Sequence, residues 1–468
     1  MNQATCGKHA GSYVTFWGAA QAVTGSMHLV EAANLRLLLD CGLVLGWSSH
    51  AQERNRNFPF PPSTLSAVIL SHAHIDHCGN LPNLVRQGFD GPIYCTPATR
   101  SLLGIMLADS ARIQEEEARV DKIIGRTDES TTGLLYTSKE VQRTLGQCIT
   151  VPYDRPTQIR PGLQVRFVDA GHLLGSAMIA LTADAPRGES TITYTGDLGR
   201  PGLKFLREPA PLPAADLIIC ESTYGGRTHQ PLEALADKLQ DVVKVTIERG
   251  GKVLIPAFSL GRAQIVIHYV RQWMAQGKLP RVPIYMDSPL AADIAAVYDL
   301  YPESMAAALH APDEEAIPVR YVRAGKESRE LSTRREACVL VASGGMCEAG
   351  RILNHLENNL DDPRNSVVLV SYQAPGSLGR KLLGRGPMVH FRGRRWNKWA
   401  DVVDLNGFSG HADQQDLVNF FRPLIGDAPR VRLVHGELEQ AEALAESLRA
   451  EGIEEVIIPR REETARVA

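Results

Sequence analysis

Four residues with metal-ligating side chains fall within six consecutive positions, in the segment His72-Ala73-His74-Ile75-Asp76-His77. The apolar run Ala67–Leu70 directly precedes this segment and predicts a buried β-strand, which places the cluster at the carboxyl end of that strand. Imidazoles two positions apart project to the same side, and the adjacent Asp-His pair can serve a second ion. Imidazole and carboxylate ligands suit Zn²⁺ and similar divalent cations. The alternative, a polar loop with structural histidines, fits poorly with so dense a cluster.

Three further residues with ligand side chains follow predicted strands in the same way. Asp40, His172 and Asp197 each close an apolar run, and each lies within two residues of a glycine. One such residue alone would more often be a turn residue or a helix cap. Because the pattern is repeated beside the histidine cluster, it predicts that these residues share one metal site.

Composition limits the class of protein. A chain of 468 residues predicts two domains or one elaborated domain, and 44% hydrophobic with 22% charged residues excludes a disordered or fibrous chain. The net charge of −3 provides no global basic field, so nucleic acid could be bound only by a local surface. No apolar run approaches the roughly 18–20 residues that span a bilayer, so no membrane association is expected. Eight scattered cysteines without a C-x-x-C pair indicate reduced thiols in a cytoplasmic protein.

Two patterns of secondary structure divide the chain. Short β-branched or aliphatic runs dominate up to about residue 225, whereas helices and strands alternate from Leu232 onward. Regular alternation predicts a parallel sheet with helices on both faces. Strand patterns return after residue 400. The simplest arrangement is one domain built from residues 1–225 and 401–468, interrupted by an inserted α/β domain over residues 226–400.

The ordered motifs resemble those of one known family, the β-CASP nucleases of the metallo-β-lactamase fold. The segments around Asp40, His72–His77, His172 and Asp197 look like the motifs of metallo-β-lactamase-fold hydrolases. Cys220–Gly225 is similar to the acidic motif A of the β-CASP group, Phe408–Asp413 to its histidine motif B, and Leu433–Glu437 to its motif C. Ile255–Gln264 and Ser371–Gly376 resemble segments of its inserted domain. The group includes the endonuclease subunit of the cleavage and polyadenylation factor and the bacterial J-type ribonucleases, and the resemblance extends from about Thr15 to Pro459.

The resemblance implies a fold and a set of site residues. The implied fold is α/β, a metallo-β-lactamase αββα sandwich with an inserted β-CASP domain that contains a parallel sheet. Two Zn²⁺ ions are implied, with Mn²⁺ as the alternative metal. His72, His74 and His172 would hold one ion, Asp76, His77 and His435 the other, with Asp197 bridging. The implied catalytic residues are Asp76, Glu221, His411 and Asp40, of which Asp40 would orient ligands and Glu221 with His411 would transfer protons.

Phosphodiester hydrolysis explains why such residues are needed. A metal-bound water has its pKa lowered towards about 7, so a metal-bound hydroxide is the expected nucleophile, and two ions about 3.5–4 Å apart can clamp phosphoryl oxygens. His411, held by Glu221, would then protonate the leaving oxygen. On its own His411 could equally be a helix-capping loop histidine, but its place in the motif favours the catalytic role.

Residues of the inserted domain are expected to bind phosphate. Ser343, Gly344 and Gly345 follow a predicted strand and precede a helix, where backbone N–H groups can approach an anion. An ordinary strand–helix turn explains this segment equally well. The full set of candidates for binding RNA or phosphate is Ser259, Arg262, Ser343, Gly344, Gly345, Ser371, Gly376, Arg380 and Ser409.

A basic stretch without any acidic residue extends from Ala374 to Ala400. It contains Arg380, Lys381, Arg385, Arg392, Arg394, Arg395 and Lys398, interleaved with Phe391, Trp396 and Trp399. This composition favours backbone neutralisation and base stacking on a single strand. A solvated hairpin with its aromatic side chains packed inward is the alternative. The stretch is longer and more basic than the family leads us to expect, so its role in the substrate path is a hypothesis.

These features predict a zinc-dependent ribonuclease that cleaves single-stranded RNA between its two domains. His435 favours RNA, because RNA-acting members of the family carry histidine at this motif whereas DNA-acting relatives tend to carry an aliphatic residue. One alternative is a small-molecule metallo-hydrolase such as a thioesterase or lactamase, which would need neither the insertion nor Glu221 and His411. Another is a non-catalytic RNA-binding subunit, against which the filled ligand positions argue. The sequence leaves open endo- versus exonucleolytic cleavage, the physiological RNA and the oligomeric state, a homodimer included.

Overall fold

A computed structural model describes residues 11–46, 48–123, 134–185, 188–203, 205–306 and 317–467. The chain divides into two compact units. The first comprises Met1–Pro201, Glu208–Thr228 and His411–Ala468, and the second comprises Gly202–Arg207 and His229–Gly410. The first unit is therefore discontinuous in sequence. No helix among the described residues has the length and hydropathy that crossing a bilayer requires.

Helices and strands alternate through most of the second unit, whereas the first unit contains longer runs of consecutive strands. The N-terminal part of the first unit contains β1 (Tyr13–Phe16), β2 (His28–Ala32), β3 (Leu35–Leu39), α1 (Ser49–Arg56), β4 (Ala67–Ile69), α2 (Ile75–Cys78), α3 (Leu81–Arg86), β5 (Ile93–Cys95), α4 (Pro97–Ile123), α5 (Ser138–Gly146), β6 (Cys148–Thr150), β7 (Thr157–Arg160), β8 (Leu163–Asp169), β9 (Ala177–Ala185), β10 (Gly188–Tyr194) and β11 (Leu217–Glu221). The second unit contains α6 (Leu232–Glu248), β12 (Lys252–Ala257), α7 (Arg262–Ala275), β13 (Ile284–Asp287), α8 (Pro289–Tyr298), β14 (Val319–Tyr321), α9 (Gly325–Thr333), β15 (Cys338–Ser343), α10 (Ile352–Asn359), β16 (Ser366–Leu369), α11 (Leu378–Leu382), β17 (Met388–Phe391), β18 (Arg394–Asn397) and β19 (Asp401–Asp404). The chain returns to the first unit with α12 (Gln414–Phe421), β20 (Arg430–Val434), α13 (Leu438–Ala450), β21 (Val456–Ile457) and β22 (Thr464–Arg466).

Two sheets pack face to face in the first unit. Their strand orders are β22-β1-β2-β3-β4-β5-β6 and β21-β20-β11-β10-β9-β8-β7. Side chains of both sheets form one buried core, with Phe16 and Leu39 from the first and Phe167 and Ile179 from the second. Helices α3, α4 and α5 cover the outer face of the first sheet, and α12 and α13 cover the second. The layers are those of the predicted αββα sandwich.

The central strands of these sheets are buried on both faces. Every residue of β4 and of β11 is buried, and such strands consist of continuous apolar runs because helices cover one face and the partner sheet the other. In these two strands the single charged residue, Glu221, stands at the end of β11, where the chain leaves the core.

The second unit is built on a parallel sheet with strand order β14-β13-β15-β12-β16-β19. Its edge strand β19 pairs with β16, Ser366 opposite Asp401 and Leu369 opposite Asp404. The predicted boundary before residue 401 assigns this strand to the outer domain, which is wrong: the chain leaves this unit only after Gly410. A short strand carries no local signal of which sheet it joins, so the pattern alone could not place the boundary.

Candidate metal centre

Strand ends in the first unit position the ligand side chains. Asp40 follows β3, His72 follows β4, His172 follows β8, Asp197 follows β10 and His435 follows β20. Asp40 and His435 have positive φ angles, 59° and 50°, a conformation that residues other than glycine adopt only where surrounding contacts hold it. The repeated order of strand, turn and ligand residue thus brings distant parts of the chain to one place.

One group of ligand atoms comes from His72, His74, His172 and Asp197. Nε2 of His72 lies 3.1 Å from Nδ1 of His74 and 3.4 Å from Oδ2 of Asp197. Nε2 of His172 lies 3.3 Å from the same His74 atom and 3.6 Å from the same Asp197 atom. Zinc–ligand bonds of about 2.0–2.1 Å place the ligand atoms of a tetrahedron about 3.3–3.4 Å apart. The observed separations, from 3.1 to 3.6 Å, are close to this spacing.

A second group comes from Asp76, His77 and His435. Nε2 of His77 lies 3.1 Å from Nε2 of His435, which lies 3.5 Å from Oδ2 of Asp76. Oδ1 of Asp197 lies 3.2 Å from Nε2 of His77. Asp197 therefore directs one carboxylate oxygen to each group.

The burial of Asp197 fits a cation between these side chains. The residue is 2% exposed, and its Oδ1 atom accepts no hydrogen bond from any described residue. A buried carboxylate oxygen without such a bond is costly unless a positive charge compensates it. The donor set of imidazole nitrogens and carboxylate oxygens is the one that zinc uses.

The protonation of the cluster also suits metal binding. Burial lowers the pKa of His72, His74 and His172, that of His74 to about 3, so these imidazoles are neutral, as ligands must be. Burial opposes the charged form of His77 as well, but Asp197 and Asp40 outweigh it and raise the pKa of His77 well above its ordinary value. In the metal-free protein, a proton on His77 therefore supplies the positive charge that a metal ion would replace.

Asp40 is fully buried and accepts four hydrogen bonds. The backbone N and Oγ of Ser71, the hydroxyl of Tyr194 and Nδ1 of His77 all donate to it over 2.7 Å. Burial would raise the pKa of this carboxyl, but the hydrogen bond and charge of His77 hold it below its usual range. The carboxylate thereby fixes the His77 ring with Nε2 towards the ligand cluster.

Three side chains that hold the site residues were not predicted: Ser71, Tyr194 and Thr223. Oγ of Ser71 lies 3.0 Å from Nδ1 of His72. Oγ1 of Thr223 lies 3.0 Å from Nδ1 of His435. Ser71 and Thr223 stand next to motif residues, a signal that could have found them. Tyr194 lies inside β10 and looks in sequence like any core aromatic residue.

Glu221 and His411 form the expected carboxylate–imidazole contact. Nδ1 of His411 lies 3.2 Å from Oε2 and 3.3 Å from Oε1 of Glu221. Glu221 is fully buried, and its Oε1 accepts a hydrogen bond of 2.5 Å from the backbone N of Leu198. The His411 ring is partly exposed, its centroid 4.5 Å from that of His172. The pair therefore lies beside the ligand cluster, with a partly exposed imidazole and a buried carboxylate.

Arg262, a predicted phosphate ligand, is engaged within the second unit. Its guanidinium donates to the backbone oxygen of Phe408, and lies 3.3 Å from Oγ of Ser409 and 3.4 Å from the backbone oxygen of Val370. The guanidinium thus connects three segments of this unit. Because the Arg262 guanidinium makes these contacts, it is less available to contact a phosphate directly.

The remaining phosphate candidates also lie in the second unit. Oγ of Ser259 lies 3.1 Å from Oγ of Ser288, and Oγ of Ser343 accepts from the backbone N of Arg351 at 3.4 Å. Oγ of Ser371 is buried and has no hydrogen-bond partner among the described residues. Gly344 has a φ of +114°, and a Cβ there would lie 2.1 Å from the backbone oxygen of Ala349. Of the others, Gly345 packs against Phe258, Gly376 has a φ of +88°, and Arg380 is exposed.

Comparison with known proteins identifies the family. Family models match the metallo-β-lactamase superfamily over residues 21–145, the β-CASP domain over 263–382 and the Zn-dependent metallo-hydrolase RNA specificity domain over 399–459. A ribonuclease from Thermus thermophilus is 36% identical over 447 residues, 94% of this chain and 96% of that protein. The chain belongs to the β-CASP family of the metallo-β-lactamase superfamily.

Other proteins similar to this β-CASP chain are transcription termination factors named FttA. The factor from Methanocaldococcus jannaschii is 31% identical over 97% of this chain and 71% of its own length, and that from Pyrococcus horikoshii is 32% identical over 93% and 68%. A solved structure of a protein of unknown function from Enterococcus faecalis matches with a TM-score of 0.53 and 16% identity over 98% of this chain and all of that chain. This last likeness supports the fold alone. The predicted fold class and the assignment to a hydrolase family are confirmed by the family matches and the relatives.

Proposed function

We propose that this β-CASP protein is a zinc-dependent ribonuclease that hydrolyses phosphodiester bonds in single-stranded RNA. The observation that carries the proposal is the pair of ligand groups that share Asp197, His72/His74/His172 on one side and Asp76/His77/His435 on the other. RNA as the substrate is supported by the relative named as a ribonuclease and by the match of residues 399–459 to an RNA specificity domain. That segment contains both His411 and His435.

Each part of the two ligand groups has a proposed role in the reaction. Two zinc ions, or manganese in their place, would supply a water activated at neutral pH and positive charge beside the phosphoryl oxygens. Asp197 would face both ions, because its two oxygens already point to different groups. Asp40 would keep His77 oriented through its hydrogen bond, with Ser71 and Tyr194 fixing Asp40 in turn.

Glu221 and His411 are proposed to deliver the proton that the departing oxygen needs. Oε1 of Glu221 accepts a hydrogen bond from the backbone N of Leu198, and Oε2 accepts one of 2.5 Å from the hydroxyl of Thr223. A carboxylate fixed in this way accepts the Nδ1–H of His411 and stabilises the protonated ring. The Nε2–H group is then the one that donates its proton to the leaving oxygen. A buried carboxylate paired with a partly exposed imidazole suits such a role, since the imidazole must reach substrate.

The cytoplasmic location and a homodimer stay predictions. The described cysteines Cys41, Cys78, Cys95, Cys148, Cys220, Cys338 and Cys347 are free thiols, which a reducing compartment maintains. Fractionation of cells tests the location, and multi-angle light scattering of the purified protein tests the oligomeric state.

Cleavage assays on matched variants test the proposal. Zinc-loaded protein is incubated with three substrates: end-labelled linear RNA, circular RNA and a thioester. The test variant is Asp76→Ala/His77→Ala. The control variant is His50→Ala, which alters an exposed histidine on α1. We expect RNA cleavage by the wild type and by His50→Ala but not by the double variant. Cleavage of circular RNA would identify endonuclease activity.

Two results would contradict the proposal. Zinc-loaded wild type that leaves RNA intact but turns over the thioester would identify a small-molecule hydrolase. Protein that binds RNA, retains no zinc after loading and cleaves nothing would identify an RNA-binding subunit.

A further inference from the structure

The basic stretch of the second unit folds into a hairpin. Strands β17 and β18 pair in register, with His390 opposite Arg395 and Phe391 opposite Arg394. Between them, Arg392 and Gly393 have φ angles of 48° and 73°, which is the two-residue turn with two positive φ angles that twists in the sense of the flanking strands. The hairpin is thus a defined element that presents its side chains in a fixed order.

The aromatic residues of the stretch divide into two kinds. Phe391 is 8% exposed and belongs to the core of the unit, and the Trp396 ring packs against it at 5.5 Å between centroids and donates Nε1–H to its backbone oxygen. These two aromatic side chains pack inward, as in the alternative interpretation of the sequence, and are not available for stacking on bases. Trp399, at the base of the hairpin, is 57% exposed, and its backbone N donates to Leu360. One large aromatic side chain of the stretch is therefore exposed to solvent, on a backbone that is hydrogen-bonded to Leu360.

The basic residues divide in the same way. Arg392 pairs with Glu357 at 3.0 Å, and Nζ of Lys398 donates to the backbone oxygens of Leu382 and Gly384. These two cations serve the fold. Five others are exposed, namely Arg380, Lys381, Arg385, Arg394 and Arg395.

Three acidic residues near the hairpin pair with arginines other than Arg385, Arg394 and Arg395. Glu357 pairs with Arg392, and Asp401 pairs with Arg249 at 2.6 Å. Asp362 pairs with Arg364 at 2.7 Å. These three carboxylates are therefore not engaged by Arg385, Arg394 or Arg395.

We propose that Arg385, Arg394, Arg395 and Trp399 form an accessory binding surface for single-stranded RNA, with the arginines on phosphates and the indole stacked on a base. Four extended residues span at most about 14 Å, so Arg395 and Trp399 can contact the same short oligonucleotide. Clustered cations beside an exposed aromatic ring are the recognition elements of single strands, whose bases are free to stack. The inference rests on the proposed function only in taking RNA as the substrate.

Strands β17 and β18 lie between two segments that match family models. Family models match residues 263–382 and 399–459, and β17 and β18 fall in the interval between them. Arg385, Arg394 and Arg395 lie in this interval, whereas Trp399 is the first residue of the second match.

The test measures RNA binding separately from cleavage. Fluorescence anisotropy with a labelled 15-nucleotide single-stranded RNA is recorded on full-length, zinc-loaded protein in a His411→Ala background, in which RNA cleavage is expected to be at least about 100-fold slower. The triple variant Arg385→Ala/Arg394→Ala/Arg395→Ala is compared with Lys139→Ala/Arg143→Ala/Arg160→Ala, which removes three exposed cations from the first unit. Trp399→Ala is compared with Trp399→Phe, and inorganic polyphosphate serves as a polyanion without bases.

We expect the hairpin triple variant to bind RNA at least about tenfold more weakly at 0.1 M salt. The slope of log affinity against log salt should fall by about 2 in magnitude, because each of three lost single-strand phosphate contacts contributes about 0.7. The control triple should stay within about twofold of the parent. Trp399→Ala should lose about fivefold or more, Trp399→Phe should retain binding, and neither should alter the affinity for polyphosphate.

Equal affinities of the two triple variants, or unchanged RNA binding by Trp399→Ala, would overturn the inference. The cleavage assay distinguishes this from failure of the proposed function. Wild type that cleaves RNA with no contribution of the hairpin to binding would overturn only the accessory surface. Hairpin-dependent RNA binding by a wild type that cleaves nothing would overturn only the ribonuclease proposal.

Discussion

Nε2 of His77 and Nε2 of His435 lie 3.1 Å apart, although 358 positions separate the two residues in the sequence. Nδ1 of His77 is hydrogen-bonded to Asp40, and Nδ1 of His435 lies within hydrogen-bonding distance of Oγ1 of Thr223. Two facing imidazole nitrogens can share one proton or bind one cation. This contact therefore joins the N-terminal motif to the C-terminal motif in one site.

Replacing His435 should remove one of two zinc ions. His435→Ala deletes a ligand of the second group and leaves His72, His74 and His172 in place, so we expect zinc content to fall from about two to about one per chain after dialysis. The exposed His50→Ala is the matched control and should retain both ions. Inductively coupled plasma mass spectrometry measures the content. A variant that retains both ions would remove His435 from the ligand set.

Tyr194→Phe should weaken zinc binding although Tyr194 is no ligand. The change deletes the hydroxyl that donates to Asp40 and keeps the ring beside His28, 5.3 Å between centroids. Loss of such a supporting hydrogen bond typically lowers metal affinity about 10–100-fold. Competition with a chromophoric chelator measures the affinity.

Tyr136→Phe provides the control for Tyr194→Phe. Tyr136 is also fully buried, and its hydroxyl lies 2.8 Å from Oγ of Ser110. We expect the free energy of unfolding to fall by about 1 kcal/mol, as for a typical hydrogen bond, with unchanged zinc affinity. Equal losses of zinc affinity in both variants would show a general effect on packing.

His411→Ala should affect substrates according to their leaving group. If His411 protonates the departing oxygen, RNA cleavage should fall about 10²–10⁴-fold. Cleavage of bis(4-nitrophenyl) phosphate should fall far less, because nitrophenolate departs without a proton. Single-turnover rates on both substrates, with zinc content recorded, make the comparison. Equal losses on the two substrates would assign His411 a structural role.

Zinc affinity should decrease as pH falls. Burial lowers the pKa of His77, but Asp197 and Asp40 outweigh burial, so the group keeps its proton in the metal-free protein at neutral pH. Zinc must displace that proton, and below the raised pKa each unit of pH lost should weaken binding at this position about tenfold. Chelator competition between about pH 6 and pH 8 measures the slope. Binding independent of pH over this range would contradict the protonated state of His77.

The ligand residues were predictable because each lies where an apolar strand ends. Asp40, His72, His172 and Asp197 all lie within three residues of the end of a strand, where polar side chains leave the core. The identity of their partners was not predictable. Tyr194 contributes a core ring and a polar hydroxyl at once, and sequence alone shows only the ring.

The second unit was predicted less well for a related reason. Arg262 was expected on phosphate, yet its guanidinium donates to the backbone oxygen of Phe408, a partner that only the three-dimensional fold reveals. Phe391 and Trp396 were candidates for base stacking, and cross-strand packing buries them instead. The basic stretch indicated a hairpin, but the sequence could not separate the side chains that hold it from those that face solvent.

Anomalous diffraction at the zinc edge, from crystals grown with zinc, tests the dinuclear centre most directly. We expect two peaks about 3.5–4 Å apart, one bound by His72, His74 and His172, the other by Asp76, His77 and His435, and both in contact with Asp197. A zinc-replete crystal with no peak at these residues, or with a single ion that leaves His435 unbound, would contradict the proposed centre.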